Sequence, residues 1–174
     1  RKVVIIKKMT FTEFFNDFII RCENGTRLQP KTGHPITYGT IKTYKTTLEC
    51  IKNYQKHVNK KIDFDTIDMP FYADFTKYLT LTVRQSTNYI GKHIKVIKTV
   101  LHDATDMGLN KNMAFKGKGF TTVSEEADTI YLAEWEIQQM KTLDLSNNPR
   151  LESIRDLFLV GCHTGSRFSD LSSL

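Results

Sequence analysis

Hydrophobic positions in the first hundred residues recur at helical spacing and stop at recognisable breakers. Phe11, Phe14, Phe15, Phe18, Ile19 and Cys22 follow a T-x-x-E capping box at Thr10 and Glu13 and end at Asn24-Gly25, which predicts a first helix with an aromatic face. Pro30, Gly33 and Pro35 then mark residues 28–39 as a loop. Over about residues 40–59, Ile41, Tyr44, Leu48, Ile51 and Val58 fall within a sector of about 100° on a helical projection, predicting a second helix. Asp68 before Met69-Pro70 is a helix start with proline in the first turn, and Phe71, Phe75, Tyr78 and Leu79 form the inner face of a short third helix. Ser86 is an N-cap for a fourth helix whose stripe is Ile90, Ile94, Ile97, Leu101 and Ala104, with Gly108 as its stop.

The pattern then changes. Residues 110–127 carry Asn110, Lys111, Asn112, Gly117, Gly119 and the run Ser124-Glu125-Glu126, the composition of an interdomain linker. Thr129-Ile130-Tyr131-Leu132 is a short strand-like patch, and residues 133–143 form a helix with Trp135, Ile137 and Met140. Asn148-Pro149 caps a further helix that Leu151, Ile154, Leu157, Phe158, Leu159 and Val160 make largely buried; it stops at Thr164-Gly165. Gly165 or Ser166 then opens a last helix with Arg167 in its first turn.

Charge divides the chain at nearly the same place. Residues 1–124 hold 21 Lys+Arg against 10 Asp+Glu, while residues 125–174 hold 4 against 9. Opposite signs on the two halves point to two modules with different tasks. The overall length of 174 residues, 40% hydrophobic and 11% aromatic, suits a globular protein of one or two small domains. No apolar run approaches the ~20 residues of a membrane span. Cys22, Cys50 and Cys162 are far apart, with no C-x-x-C pair, so neither a disulfide framework nor a zinc site is indicated and a reducing, cytoplasmic setting is expected. Lys116-Gly117-Lys118-Gly119 lacks the spacing of a phosphate-binding P-loop.

A basic helical region expects a polyanion, because neutralising phosphates releases counterions and dominates non-specific affinity. Lys42, Lys45, Lys52 and Lys56 occupy a sector adjoining the apolar stripe of the second helix, and Lys92, Lys95 and Lys98 step along the flank of the fourth. Thr87, Asn88 and Tyr89 in the first turn of that helix are side chains able to reach base edges in a major groove. Lys116 and Lys118 add charge beyond it. A helical transcription regulator and a protein-interaction bundle using its aromatic faces are alternative readings of the same residues. On spacing alone Arg167 pairs with Asp170 at i+3, or joins a helix N-terminus in clamping an anion.

The stretch T-G-x-R-x-[ST]-D-L-x-x-L from Thr164 to Leu174, preceded by a helix and by the basic four-helix region, resembles the first arginine box of tyrosine recombinases, the phage integrases. Residues 87–104 also resemble the fourth helix of integrase core-binding domains in bacterial mobile elements, and the resemblance spans roughly residues 9–174. It implies a mainly α fold: a four-helix, SAM-like core-binding bundle over 9–110, a linker over 111–127, and over 128–174 the truncated, mostly helical start of an α/β catalytic domain. It implies double-stranded DNA as partner, held between the two domains, with other recombinase protomers in a tetramer on DNA. The fragment alone is expected to be monomeric.

The implied chemistry is strand cleavage and rejoining through a 3′-phosphotyrosyl intermediate, without metal or other cofactor. Arg167 would be the first catalytic arginine, its planar guanidinium suited to two phosphate oxygens, and Asp170 its supporting acid. The family's catalytic lysine, His-x-x-Arg box and nucleophilic tyrosine match nothing in this sequence, so the chain itself is expected to be inactive. Tyr44, Tyr78 and Tyr89 are expected to pack in the core, and Tyr131 within the strand-like patch. His57, His93 and His102 are expected on the surface, and His163 has no ligand partner at metal spacing. Residues 1–8 read as a strand or the remnant of an arm-binding domain.

Overall fold

The computed structural model describes residues 9–172; the expectations for residues 1–8 and for the end of the Thr164–Leu174 box lie outside them. The chain divides into two compact units, Arg1–Glu126 and Ala127–Leu174, each described by itself.

The first unit is a helical bundle. Helix α1 (Phe11–Glu23) starts where the capping box predicts: the Thr10 hydroxyl accepts from the Glu13 amide and the Glu13 carboxylate accepts from the Thr10 amide. Its four phenylalanines are fully buried. Phe11 meets Phe64 edge-on at 5.5 Å between centroids, and Phe18 meets Tyr44 of α2 (Tyr38–Val58) at 5.2 Å. Aromatic pairs at such angles gain about 0.5–1.5 kcal/mol beyond their burial. Asp63 joins α1 to the loop after α2, its Oδ1 accepting from the amides of Phe11 and Phe64.

Helix α3 (Met69–Lys77) is capped by Asp68, whose carboxylate accepts from the Phe71 amide at 2.9 Å, with Pro70 in the first turn. It runs into a π-type turn over Tyr78–Thr82, which places Leu79 in the core beside Phe75. Helix α4 (Thr87–Asp106) is the centre of the bundle. Its predicted stripe is buried throughout, and Gly91, His93, Val96 and Val100 widen it. At the far end, Asp103 accepts from Arg21 at 2.9 Å and Arg27 at 3.0 Å, tying α1 and the following loop to α4. The Arg27 guanidinium lies 4.3 Å from the centre of the Phe18 ring.

Residues 112–123, read from composition as linker, carry core side chains instead. Phe115 and Phe120 are fully buried, and Asn112 holds the loop before α3 by donating to the carbonyls of Phe64 and Ile67. The chain from 120 to 125 forms a strap across the bundle: Tyr72 donates to the Thr121 carbonyl at 3.0 Å, Lys98 donates to the Phe120 carbonyl at 2.8 Å, and Gly91 gives room for Val123.

The second unit contains α5 (Glu134–Lys141), α6 (Pro149–Thr164) and the single-turn α7 (Phe168–Leu171). Asn148 caps α6, accepting from the Leu151 amide at 3.1 Å, and Gly165 ends it with φ 65°. Three expectations are corrected here. Residues 129–132 form no strand: no partner is offered to them among the described residues, and Ile130 is 95% exposed. Tyr131 accordingly stands in solvent. Among the described residues Leu159 is the one buried side chain of α6, because α5 and α7 cover one side and leave Leu151, Ile154, Phe158 and Val160 exposed. Arg167 is the residue before α7, not within its first turn.

Candidate nucleic-acid interface

Helices α2 and α4 pack against each other, and three of the lysines flanking their apolar stripes, Lys42, Lys92 and Lys95, are thereby brought along one seam. A groove of about 500 Å3 runs between the helices, walled by Thr37, Thr40, Thr43, Lys92, Lys95 and Thr99. It shares Gly39, Thr43 and Lys92 with a smaller pocket of about 220 Å3, where Lys42, Thr46, Tyr89 and His93 complete the wall. No carboxylate lines either one. The Thr43 and Thr46 hydroxyls donate to the carbonyls of Gly39 and Lys42 within α2, so their protons are spent on the helix and lysine ammonium groups supply the positive field.

The lysines expected along the two helices divide into four groups. Lys92 and Lys95 line the groove and Lys42 the smaller pocket that adjoins it, all three exposed. Lys45 is paired with Glu23 at 2.6 Å, which raises its pKa through the hydrogen bond, and Lys52 stands 3.9 Å from Glu49. Lys56 is exposed on α2 outside the groove walls. Lys98 is spent on the Phe120 carbonyl, because the segment taken for a linker turns back over α4. Lys116 and Lys118 are exposed beside that segment, with the Lys116 ammonium 5.8 Å from the Phe115 ring centre.

The first turn of α4 also differs from expectation. Asn88 holds the strap through both ends of its amide: it donates to the Glu125 carbonyl at 3.0 Å and accepts from the Glu125 amide at 3.0 Å. Thr87 is half-buried beside it. Tyr89, expected in the core, is exposed and forms a wall of the small pocket. Arg167 and Asp170 belong to the second unit; Arg167 is exposed, and its carbonyl accepts from the Asp170 amide at 2.9 Å.

His93, expected on the surface, is 2% exposed. Its Nδ1 lies 2.8 Å from the Thr47 hydroxyl, while Nε2 is buried and has no hydrogen-bond partner. Burial, reinforced by Lys92, pushes its pKa down to about 4. The sequence does hold a signal for this position. Residue 93 falls three after Ile90 and one before Ile94, on the buried stripe of α4.

An all-helical bundle in which the two longest helices share a cationic groove free of acids is a scaffold suited to polyanions. A family model described as the phage integrase SAM-like domain matches residues 10–123, and the chain belongs to this family. No curated protein and no solved structure matches the chain. The matched span ends inside the strap and takes in residues 111–123 of the stretch that composition reads as a linker. Among the described residues no helix is long and apolar enough to cross a membrane, and no group of three or more His, Cys, Asp or Glu side chains is placed to hold a metal ion.

Proposed function

We propose that this chain is the DNA-binding portion of a site-specific tyrosine recombinase and that it grips duplex DNA through the groove between α2 and α4. The observation that carries this reading is the convergence of Lys42, Lys92 and Lys95 from two helices on one acid-free groove, in a chain whose first unit belongs to an integrase domain family. Phosphate contacts from such lysines position a duplex without reading its sequence. Strand cleavage and rejoining through a 3′-phosphotyrosyl link is the proposed activity of the full recombinase, which acts as a tetramer on DNA. Arg167, supported by Asp170, is proposed to hold the scissile phosphate there. The fragment alone is proposed to bind without cutting.

The test is fluorescence anisotropy of a labelled duplex across a salt series. With about five phosphate contacts, log affinity falls against log salt with a slope of about −4 to −5. Replacing Lys42, Lys92 and Lys95 together by alanine flattens that slope by about 2 to 3. Salt-independent binding, or an unchanged slope in the triple variant, sinks the reading.

A further inference from the structure

We propose that a DNA phosphate seated in the small pocket between α2 and α4 draws one proton onto His93, so that this protein's grip on DNA tightens as pH falls. The inference rests on the DNA-binding reading above and adds a proton-linked control to the same groove.

The Thr47 hydroxyl fixes the tautomer. The Thr47 hydroxyl has one proton and donates it to the Thr43 carbonyl at 2.9 Å. Toward His93 it acts as acceptor, so Nδ1 carries the hydrogen and donates across the 2.8 Å contact. Nε2 is then a bare lone pair, buried and unpartnered. The large majority of buried side-chain polar atoms have a hydrogen-bond partner, and an orphaned buried acceptor is costly.

The surroundings explain why the free protein leaves that nitrogen unprotonated. The charged and titratable groups that line the pocket with His93 are Lys42 from α2 and Lys92 and Tyr89 from α4, none of them an acid. The Tyr89 ring stands edge-on to the imidazole at 4.8 Å. Burial and the neighbouring Lys92 both oppose an imidazolium. A phosphodiester in the pocket supplies the missing negative charge. A proton from solvent then adds to Nε2, Nδ1–H stays on Thr47, and the new cation beneath the pocket strengthens the hold on the anion. By linkage, the factor by which DNA favours the proton is the factor by which the proton favours DNA.

The experiment is anisotropy of a labelled duplex at pH 7.5 and pH 5.5 at fixed ionic strength, on the wild-type chain and on His93→Asn, which keeps a donor for Thr47. If bound phosphate raises the His93 pKa by about two units, the wild-type Kd falls about fourfold over that interval. The variant's Kd falls less, retaining only the contribution of the exposed histidines. NMR titration of the His93 ring in the wild-type chain, with and without duplex, decides the matter even if the variant fails to fold: a rise of about one unit or more on DNA is expected. Salt-steep binding with equal pH dependence in both proteins and an unmoved ring pKa overturns the proton link while leaving the DNA reading intact. Absence of salt-steep binding at either pH defeats both.

Discussion

Gly91 of α4 lies directly beneath the carbonyl group of Val123: a Cβ at position 91 would overlap the Val123 oxygen and come within 3.0 Å of its carbonyl carbon. Alanine in place of glycine inside a helix ordinarily stabilises by about 1 kcal/mol. Here the sign reverses, because the obstruction is backbone and the strap must lift to relieve it. Gly91→Ala is expected to lower stability by about 1–3 kcal/mol in urea denaturation and to speed proteolysis near residues 120–126. A variant as stable as the wild type, with an uncut strap, contradicts the close packing of Val123.

The strap and the groove explain which parts of this molecule the sequence reveals. Helices α1, α3 and α4 begin within a residue of their predicted starts, because Thr10, Asp68 and Ser86 precede clean apolar periodicity. Phe115 and Phe120 were invisible as core because they stand alone among lysines, glycines and asparagines; only the fold of α3 and α4 gives them a place to pack. The same return of the chain removes Lys98 and Asn88 from the groove, an outcome that no local pattern encodes. Helix α6 fails in the opposite sense. Its dense apolar composition reads as burial, but burial needs neighbours on every side, and among the described residues of its unit the helices packed against it are α5 and α7.

Free of DNA, the protein should lose stability in mild acid. The folded-state pKa of His93 is depressed to about 4, below the ~6.5 of an unfolded chain, so folding favours the neutral ring. The stabilisation is complete above pH ~6.5 and is lost progressively as pH falls toward 4, by an amount on the order of 3 kcal/mol at most. Urea denaturation between pH 7.5 and 4 measures it. His93→Asn should show a flatter profile over the same interval, and parallel profiles in the two proteins would exclude His93 as the source.

Asp103 holds two guanidinium groups at once, those of Arg21 and Arg27, with side chains 14–25% exposed. Asp103→Asn removes the charge and leaves Arg27 without its carboxylate beside Arg21, which keeps its pair with Asp17 at 2.9 Å. Removing one partner from a fully buried pair costs about 3–5 kcal/mol, and partial exposure reduces this, so about 1–3 kcal/mol is expected in urea denaturation. Arg21→Lys should cost less, because the Arg27 contact to Asp103 remains. A neutral Asp103→Asn would mean that the cluster is solvated too well to tie α1 to α4.

Lys92 and Lys98 lie on the same helix and read alike in the sequence, yet the structure gives them opposite work. Lys92 is exposed on the groove wall, whereas the Lys98 ammonium donates to the Phe120 carbonyl at 2.8 Å. Lys92→Met should therefore weaken DNA binding and reduce the salt slope by about 1, with stability within about 0.5 kcal/mol of the wild type. Lys98→Met keeps the aliphatic stem but leaves the carbonyl without its donor. It should cost about 1–3 kcal/mol of stability and leave the salt slope unchanged. Measuring both variants by urea denaturation and by anisotropy separates the assignments. Should Lys98→Met lower the salt slope as Lys92→Met does, its ammonium leaves the strap to meet DNA, and the strap must open when the duplex arrives.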